Sequence, residues 1–331
     1  MDMTYTVHRL AVAVSLLVLT SLALAANARA EPEPDKFRTV GEWQPPLGLK
    51  QSPIWPGAAP DMEGLTQPPE SVLTVQTPEA LEGNTSQAVF DVSAPTMTVF
   101  PPKGANSRAA IIVFPGGGFK ILAITLEGTE ICNWIASKGI TCVLSKYRVP
   151  KSNHHYDEKC HCAVTPKVPR ALQDAQRTIK LVRSKAKELT LDPNKIGVMG
   201  FSAGGYLVVQ TSNIVEPTYK PVDAIDKLSS RPDFAIAFFP GHICRAGSKL
   251  DPGLRVTKKT PPTFLLQAWD DNVDDRCNST LYARELDRAG VPAEVHLFAK
   301  GGHAFGLRRK HSPDTVWPSL VENWLTDIGV R

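Results

Sequence analysis

The sequence predicts an α/β protein, a three-layer sandwich with a mostly parallel central sheet and helices on both faces. Three observations carry that prediction. Short apolar runs alternate with stretches of helical period from about residue 96 onward. Two of the apolar runs open directly into glycine-rich turns, at 115–118 and 200–205. No internal repeat and no composition shift marks a second domain after residue 80.

Taken in order, the chain opens on His8 and Arg9, an apolar run over residues 10–25, and Ala28-Arg29-Ala30. That pattern predicts a signal peptide over residues 1–30, cleaved after Ala30, and so a secreted or periplasmic protein. The apolar run is shorter than a spanning helix needs, and no later stretch reads as one, so no stable membrane span is expected. Residues 31–80 are rich in Pro, Gly and acids, including Pro45-Pro46 and Pro68-Pro69. They read as an extended leader draped over the core. Residues 81–331 read as a single catalytic domain.

Within that domain, residues 96–100, 110–114 and 140–144 read as strands, with a helix over 126–137 between the last two. Residues 168–189 form a long amphipathic pattern. Leu172, Ala175, Ile179 and Val182 share one face, and Arg and Lys occupy the other. The apolar run 196–199 is a strand, and 204–212 the helix after it. Residues 234–239, 263–269 and 293–298 complete the strands, with helices at 279–289 and 316–328.

Removing residues 1–30, which carry Arg9, Arg29 and Asp2, takes the net charge from +4 to +3. There is no basic run interleaved with aromatics, so no nucleic-acid partner is expected. Six cysteines follow residue 30: Cys132, Cys142, Cys160, Cys162, Cys244 and Cys277. An even count in an exported chain permits disulfides, with the pairing open; Cys132 and Cys142 also fit buried free thiols. His154-His155 and Cys160-His161-Cys162 match no standard zinc spacing, and a disulfide-stapled loop is the preferred reading there. No metal or cofactor is expected. The polar stretch 151–166, bracketed by Pro150 and Pro166, is expected to wall a substrate cleft.

The chemistry sits in three places. Gly200-Phe201-Ser202-Ala203-Gly204 joins a strand to a helix, the setting of a nucleophile elbow, with Ser202 at its tip. A serine hydroxyl needs a base, and the base needs an orienting acid. Asp271 follows the strand at 263–269, and His303 lies in the glycine-rich loop after the strand at 293–298. The chain order Ser, Asp, His is the one such a fold uses. Asp270 competes with Asp271 for the acid role, while His296 and His242 are weaker candidates for the base. Pro115-Gly116-Gly117-Gly118-Phe119 directly follows the strand at 110–114. Its open amides suit an oxyanion hole, formed by Gly117 or Gly118 with Ala203. Trp269 and Phe119 are the candidate substrate-binding aromatics, Trp269 as a surface for a sugar ring.

These segments, together with Lys146-Tyr147-Arg148-Val149-Pro150 and Asp174-Ala175-Gln176-Arg177, resemble a secreted carbohydrate-esterase branch of the α/β-hydrolase superfamily. This is the acetylxylan-esterase-like and Bacillus-type feruloyl-esterase-like group. The resemblance spans residues 95–328. It implies Ser202 as nucleophile, His303 as base and Asp271 as orienting acid. It further implies hydrolysis of short acyl esters, acetyl first, on a polysaccharide or oligosaccharide. One departure is Pro115 at the start of the oxyanion loop, where many lipases and esterases have His. Rival readings are a prolyl-oligopeptidase-like peptidase, a feruloyl or other carboxylesterase, a long-chain lipase, and a non-catalytic carbohydrate-binding relative. No propeller domain or amphipathic apolar lid is visible to support the peptidase or the lipase, and the binder would most simply have lost a member of the triad.

Overall fold

The computed structural model describes residues 38–64, 66–77, 81, 85–149, 155–157, 162–164, 169–308 and 313–331. The expected signal peptide and its cleavage site lie outside these residues. So does most of the 151–166 loop, of which His155–Asp157 and Cys162–Val164 form a short antiparallel pair.

Eight strands build the central sheet: β1 Gln51–Pro53, β2 Thr96–Phe100, β3 Ala110–Phe114, β4 Thr141–Lys146, β5 Ile196–Phe201, β6 Ala235–Phe238, β7 Thr263–Ala268 and β8 Ala293–Phe298. Their order across the sheet is β8-β7-β6-β5-β3-β4-β2-β1. β2 pairs antiparallel with both neighbours, and every other pairing is parallel. β3, β4, β5, β6 and β7 are buried along their whole length. A parallel strand covered on both faces must be apolar on both faces, so these strands read in the sequence as continuous runs rather than alternations.

Among the described residues five α-helices surround the sheet: α1 Glu130–Ser137, α2 Pro169–Ser184, α3 Ala203–Asn213, α4 Cys277–Ala289 and α5 Trp317–Asp327. α1 is preceded by one wide π-type turn over Thr125–Thr129. α1 and α5 meet through Trp134 and Trp317, whose rings cross edge to face at 5.1 Å. α4 ends in Gly290 at φ +69°, and its amide and that of Val291 bond back to Asp287 and Leu286. That left-handed terminus is where glycine carries no steric cost. Among the described residues two disulfides tie elements together: Cys132–Cys142 joins α1 to β4, and Cys244–Cys277 joins the loop after β6 to the start of α4. Cys132 and Cys142 are therefore cross-linked, not free thiols.

From Arg38 onward the proline-rich stretch is part of the folded unit. It supplies β1, and Arg38–Val40 and Ser71–Gln76 join a second sheet with Thr85–Phe90 and Ile121–Leu122. It also covers the face of α2 that carries the arginines and lysines. Arg148 and Asp174 are both completely buried, their charges paired at 2.9 Å. Asp174 also accepts from Trp55 Nε1, and Arg148 donates to the Pro60 carbonyl. Arg177 donates to the Ile54 carbonyl and pairs with Asp223 and Asp226. The charged face of α2 is internal because segments 54–61 and 214–226 bring carboxylates and carbonyls to it. A buried charge persists only with such partners.

The register of the sheet delivers the site. Gly200 lies beside Phe114, Phe201 beside Phe238, and Phe238 beside Leu266, while Ala268 lies beside Phe298. The C-terminal ends of β3, β5, β6, β7 and β8 therefore open along one edge. The loops that follow them carry the glycine run, Ser202, His242, Asp271 and His303.

Candidate active site

Ser202 sits between β5 and α3 with φ +52° and ψ −118°, a conformation a side chain rarely adopts. Its neighbours explain how it is held. A Cβ on Gly200 would lie 2.2 Å from the Gly204 carbonyl oxygen, and one on Gly204 would lie 1.9 Å from that of Phe114. Only glycine permits strand, turn and helix to approach this closely. The Ser202 amide bonds to the Phe238 carbonyl at 3.0 Å, pinning the elbow to β6. Ala203 is the first residue of α3, so its amide has no acceptor within the helix.

The glycine loop lies against the elbow. A Cβ on Gly116 would meet Ser202 Cβ at 3.0 Å and the Phe201 oxygen at 2.6 Å. Gly117 and Gly118 have φ of +131° and +61°. Tyr147 Oη donates to the Pro115 carbonyl, and the Gly116 amide donates to Glu127 Oε2 at 2.8 Å. Glu127 is fully enclosed, and burial pushes its carboxyl up to about 7, against the pull of the Gly116 amide and the His303 charge.

His303 Nδ1 lies 2.8 Å from Asp271 Oδ2. Asp271 Oδ1 accepts from the amides of Val273 and Asp274 at 2.9 and 3.0 Å. Burial alone would raise this carboxyl, but the His303 hydrogen bond and charge, with the two amides, bring it below the usual range. Burial would likewise lower His303, yet the Asp271 hydrogen bond and the charges of Asp271, Asp274 and Glu127 raise it. Asp270 does not meet the imidazole. Its Oδ1 accepts from the Gly302 amide at 2.9 Å and so staples the histidine loop. Phe239, buried at the end of β6, lies 4.7 Å from the His303 ring, centroid to centroid, and fixes its lateral position.

The other predicted residues separate. Trp269 is half exposed beside the acid loop, with the Arg276 guanidinium 4.6 Å over its ring. Phe119 is fully buried among Tyr147, Tyr206 and His242, so it packs beneath the glycine loop and presents no surface to a substrate. The expectation of a substrate contact fails there because the ring is fully enclosed by these aromatic neighbours. His242 belongs to that same cluster. His296, on β8, pairs with Glu294 at 2.7 Å.

Two acids went unread in the sequence. Glu127 falls within the stretch expected to be helical, where nothing distinguishes it from a solvated carboxylate. Asp274 belongs to the same acidic turn as Asp271, and only the fold shows where it points. Ser202 Oγ donates to Asp274 Oδ2 at 3.3 Å rather than to His303. The same oxygen lies 3.9 Å from His303 Nε2. Burial raises the Asp274 carboxyl to about 6; the His303 charge opposes that rise and the Asp271 charge reinforces it. A serine at a strained elbow, an imidazole held by a carboxylate and a glycine loop at the helix start together can carry out acyl transfer.

Comparison with known proteins places this site in context. The family model described as BD-FAE matches residues 97–219. An acetylxylan esterase of Xylanibacter ruminicola is 29% identical over 258 residues, which is 70% of this chain and 47% of that protein. Endo-1,4-beta-xylanase B of Butyrivibrio fibrisolvens is 26% identical over 59% of this chain and 32% of its own length. The chain thus spans less than half the length of these two relatives. Among solved structures, an acetyl ester-xyloside bifunctional hydrolase from Caldicellulosiruptor lactoaceticus matches at 30% identity and a TM-score of 0.65. The match covers 85% of this chain and 97% of that one. Esterase 2 of Thermogutta terrifontis, in a form phosphorylated by paraoxon, matches at 26% identity and a TM-score of 0.60, over 72% and 90% of the two chains.

Proposed function

The chain belongs to the acetylxylan-esterase-like α/β-hydrolases, a group of serine carboxylic ester hydrolases, and on that premise we propose that it removes short acyl groups, acetyl first, from carbohydrate. The observation that carries the chemistry is the Asp271–His303 bond at 2.8 Å beside an elbow serine.

In this mechanism Ser202 Oγ leaves Asp274, gives its proton to His303 Nε2 and attacks the ester carbonyl. Asp271 holds Nδ1 protonated, which leaves Nε2 free to accept. The carbonyl oxygen becomes an oxyanion that the amides of Ala203 and of Gly117 or Gly118 receive, each donor contributing about 10²–10³ in turnover. His303 returns the proton to the departing sugar oxygen as the C–O bond breaks. Water then enters, His303 takes its proton, and the acyl group leaves Ser202 as the free acid.

The carbohydrate assignment rests on the xylan-related names of the relatives, and the exposed Trp269 is a candidate ring surface for a sugar. Export is part of the proposal. It rests on the signal pattern in residues 1–30 and is supported by two disulfides, which persist in oxidising compartments.

The test is acetate release from acetylated xylan beside hydrolysis of p-nitrophenyl acetate, by wild type and Ser202→Ala. Wild type cleaves both and the variant loses both. Cleavage of the small ester alone removes the polysaccharide from the proposal, and cleavage of neither removes the acetylesterase.

A further inference from the structure

A carboxylate 3.3 Å from the nucleophile and 3.9 Å from the base is out of place for an enzyme that must stabilise negative charge there. Ionised, Asp274 holds the Ser202 hydroxyl away from His303 and repels a departing alkoxide. Yet its position is built. Its amide donates to Asp271, and its carbonyl accepts from Gln267 Nε2 at 2.6 Å. Gln267 in turn accepts from Ser279 Oγ. Gly241 makes room for the carboxyl, since a Cβ there would lie 2.5 Å from Asp274 Oδ1. The Cys244–Cys277 disulfide fastens the loop of Gly241 to the end of the acid turn.

The leaving oxygen must come within hydrogen-bond reach of His303 Nε2 to be protonated. On a sugar, a hydroxyl on the next carbon lies close to that oxygen, and Asp274 Oδ2, 3.9 Å from Nε2, stands near enough to receive it. Such a hydroxyl donates to the carboxylate, releases Ser202 to His303 and stabilises the Asp274 charge by a hydrogen bond.

Resting on the esterase reading, we propose that Asp274 recognises a free hydroxyl adjacent to the scissile ester, so that the site selects partially acylated sugars with a vicinal hydroxyl. A site that pairs a buried acceptor with a substrate hydroxyl discriminates strongly against substrates lacking it, because the acceptor is then left unpaired.

The experiment compares three esters: methyl 2-O-acetyl-β-xylopyranoside, the same sugar O-methylated at the 3-hydroxyl, which is the one free hydroxyl next to the ester, and p-nitrophenyl acetate. Wild type, Asp274→Ala and the isosteric Asp274→Asn are assayed, with Ser202→Ala as the blank. Wild type prefers the free hydroxyl over its methyl ether by at least tenfold in kcat/KM. Asp274→Ala brings that ratio to within about threefold of one, and raises p-nitrophenyl acetate turnover because nothing competes for Ser202. Asp274→Asn keeps an acceptor without the charge and gives an intermediate ratio, which also serves if the alanine variant does not fold. A wild-type ratio near one overturns the assignment, as does a ratio that survives Asp274→Ala. A parallel fall on all three esters also overturns it, placing Asp274 in the chemistry instead. A wild type inert on every ester overturns the esterase reading itself, and this assignment with it.

Discussion

Replacing Asp271 with Asn exchanges one atom and reverses the proton arrangement of the site. Asp271 Oδ1 accepts two backbone amides, from Val273 and Asp274. In the variant the amide oxygen must take that place, because an NH₂ group there would face two donors. The NH₂ then points at His303 Nδ1, which has to accept. His303 consequently carries its proton on Nε2, the nitrogen that should receive the proton of Ser202. The expected loss in kcat is about 10⁴-fold, or about 5.5 kcal/mol of transition-state stabilisation. KM should change little, since Asp271 is buried and does not reach the acyl group. The imidazole also loses the carboxylate that raises it, so the midpoint of the residual pH–rate profile moves below that of wild type. The assay is p-nitrophenyl acetate hydrolysis from pH 5 to 9, with circular dichroism to verify folding. A kcat within tenfold of wild type in a folded variant would refute the argument, because it would mean that Asp271 does not set the tautomer.

Asp174→Ala leaves Arg148 buried without its carboxylate and should cost about 3–5 kcal/mol, lowering Tm by on the order of 10 °C; a change under 2 °C in thermal unfolding would contradict it. In wild type, kcat/KM rises with pH through a midpoint above the ordinary 6.5, because His303 must lose its proton and its pKa is raised; a midpoint below 6.5 would exclude His303 as the base in this environment. The Asp274 carboxyl moves from 3.8 to about 6, so its favourable contribution is complete below 3.8 and is lost as pH rises through 6. Asp274→Asn is therefore more stable than wild type at pH 8 by up to about 3 kcal/mol and equal to it near pH 3.5; urea unfolding at the two pH values measures the difference. Cys277→Ser opens a 33-residue loop and should lower stability by about 3–4 kcal/mol, read by the same unfolding assay.

Much of the central sheet was legible from residue patterns. β3, β4, β5, β6 and β7 are buried on both faces, and their apolar runs stand out against polar loops. Ser202 and His303 were legible because glycines mark sharp turns at strand ends, and Gly200 and Gly204 prove to be sites of backbone contact that no side chain would permit. β1 and the strands at Arg38–Val40 and Ser71–Gln76 were not legible. The first two are three residues long and all three lie in or beside the proline-rich stretch, so their conformation comes from partners elsewhere in the chain.

The sequence marks the charged face of α2 but not what covers it, because local period reports only which residues share a side. Arg177 and Asp174 are internal because Trp55, Asp223 and Asp226 arrive from distant segments. The acidic turn shows the same division. Local sequence places Asp270, Asp271 and Asp274 after a strand end, and on that basis Asp270 competes with the preferred Asp271. Only the meeting of β7, β8 and the elbow gives them different work. One staples a loop, one holds the imidazole, and one stands at the serine. Residue type and spacing determined the chemistry available at the sheet edge. Which carboxylate meets which group depends on distances between chain segments, and those exist only once the sheet has closed.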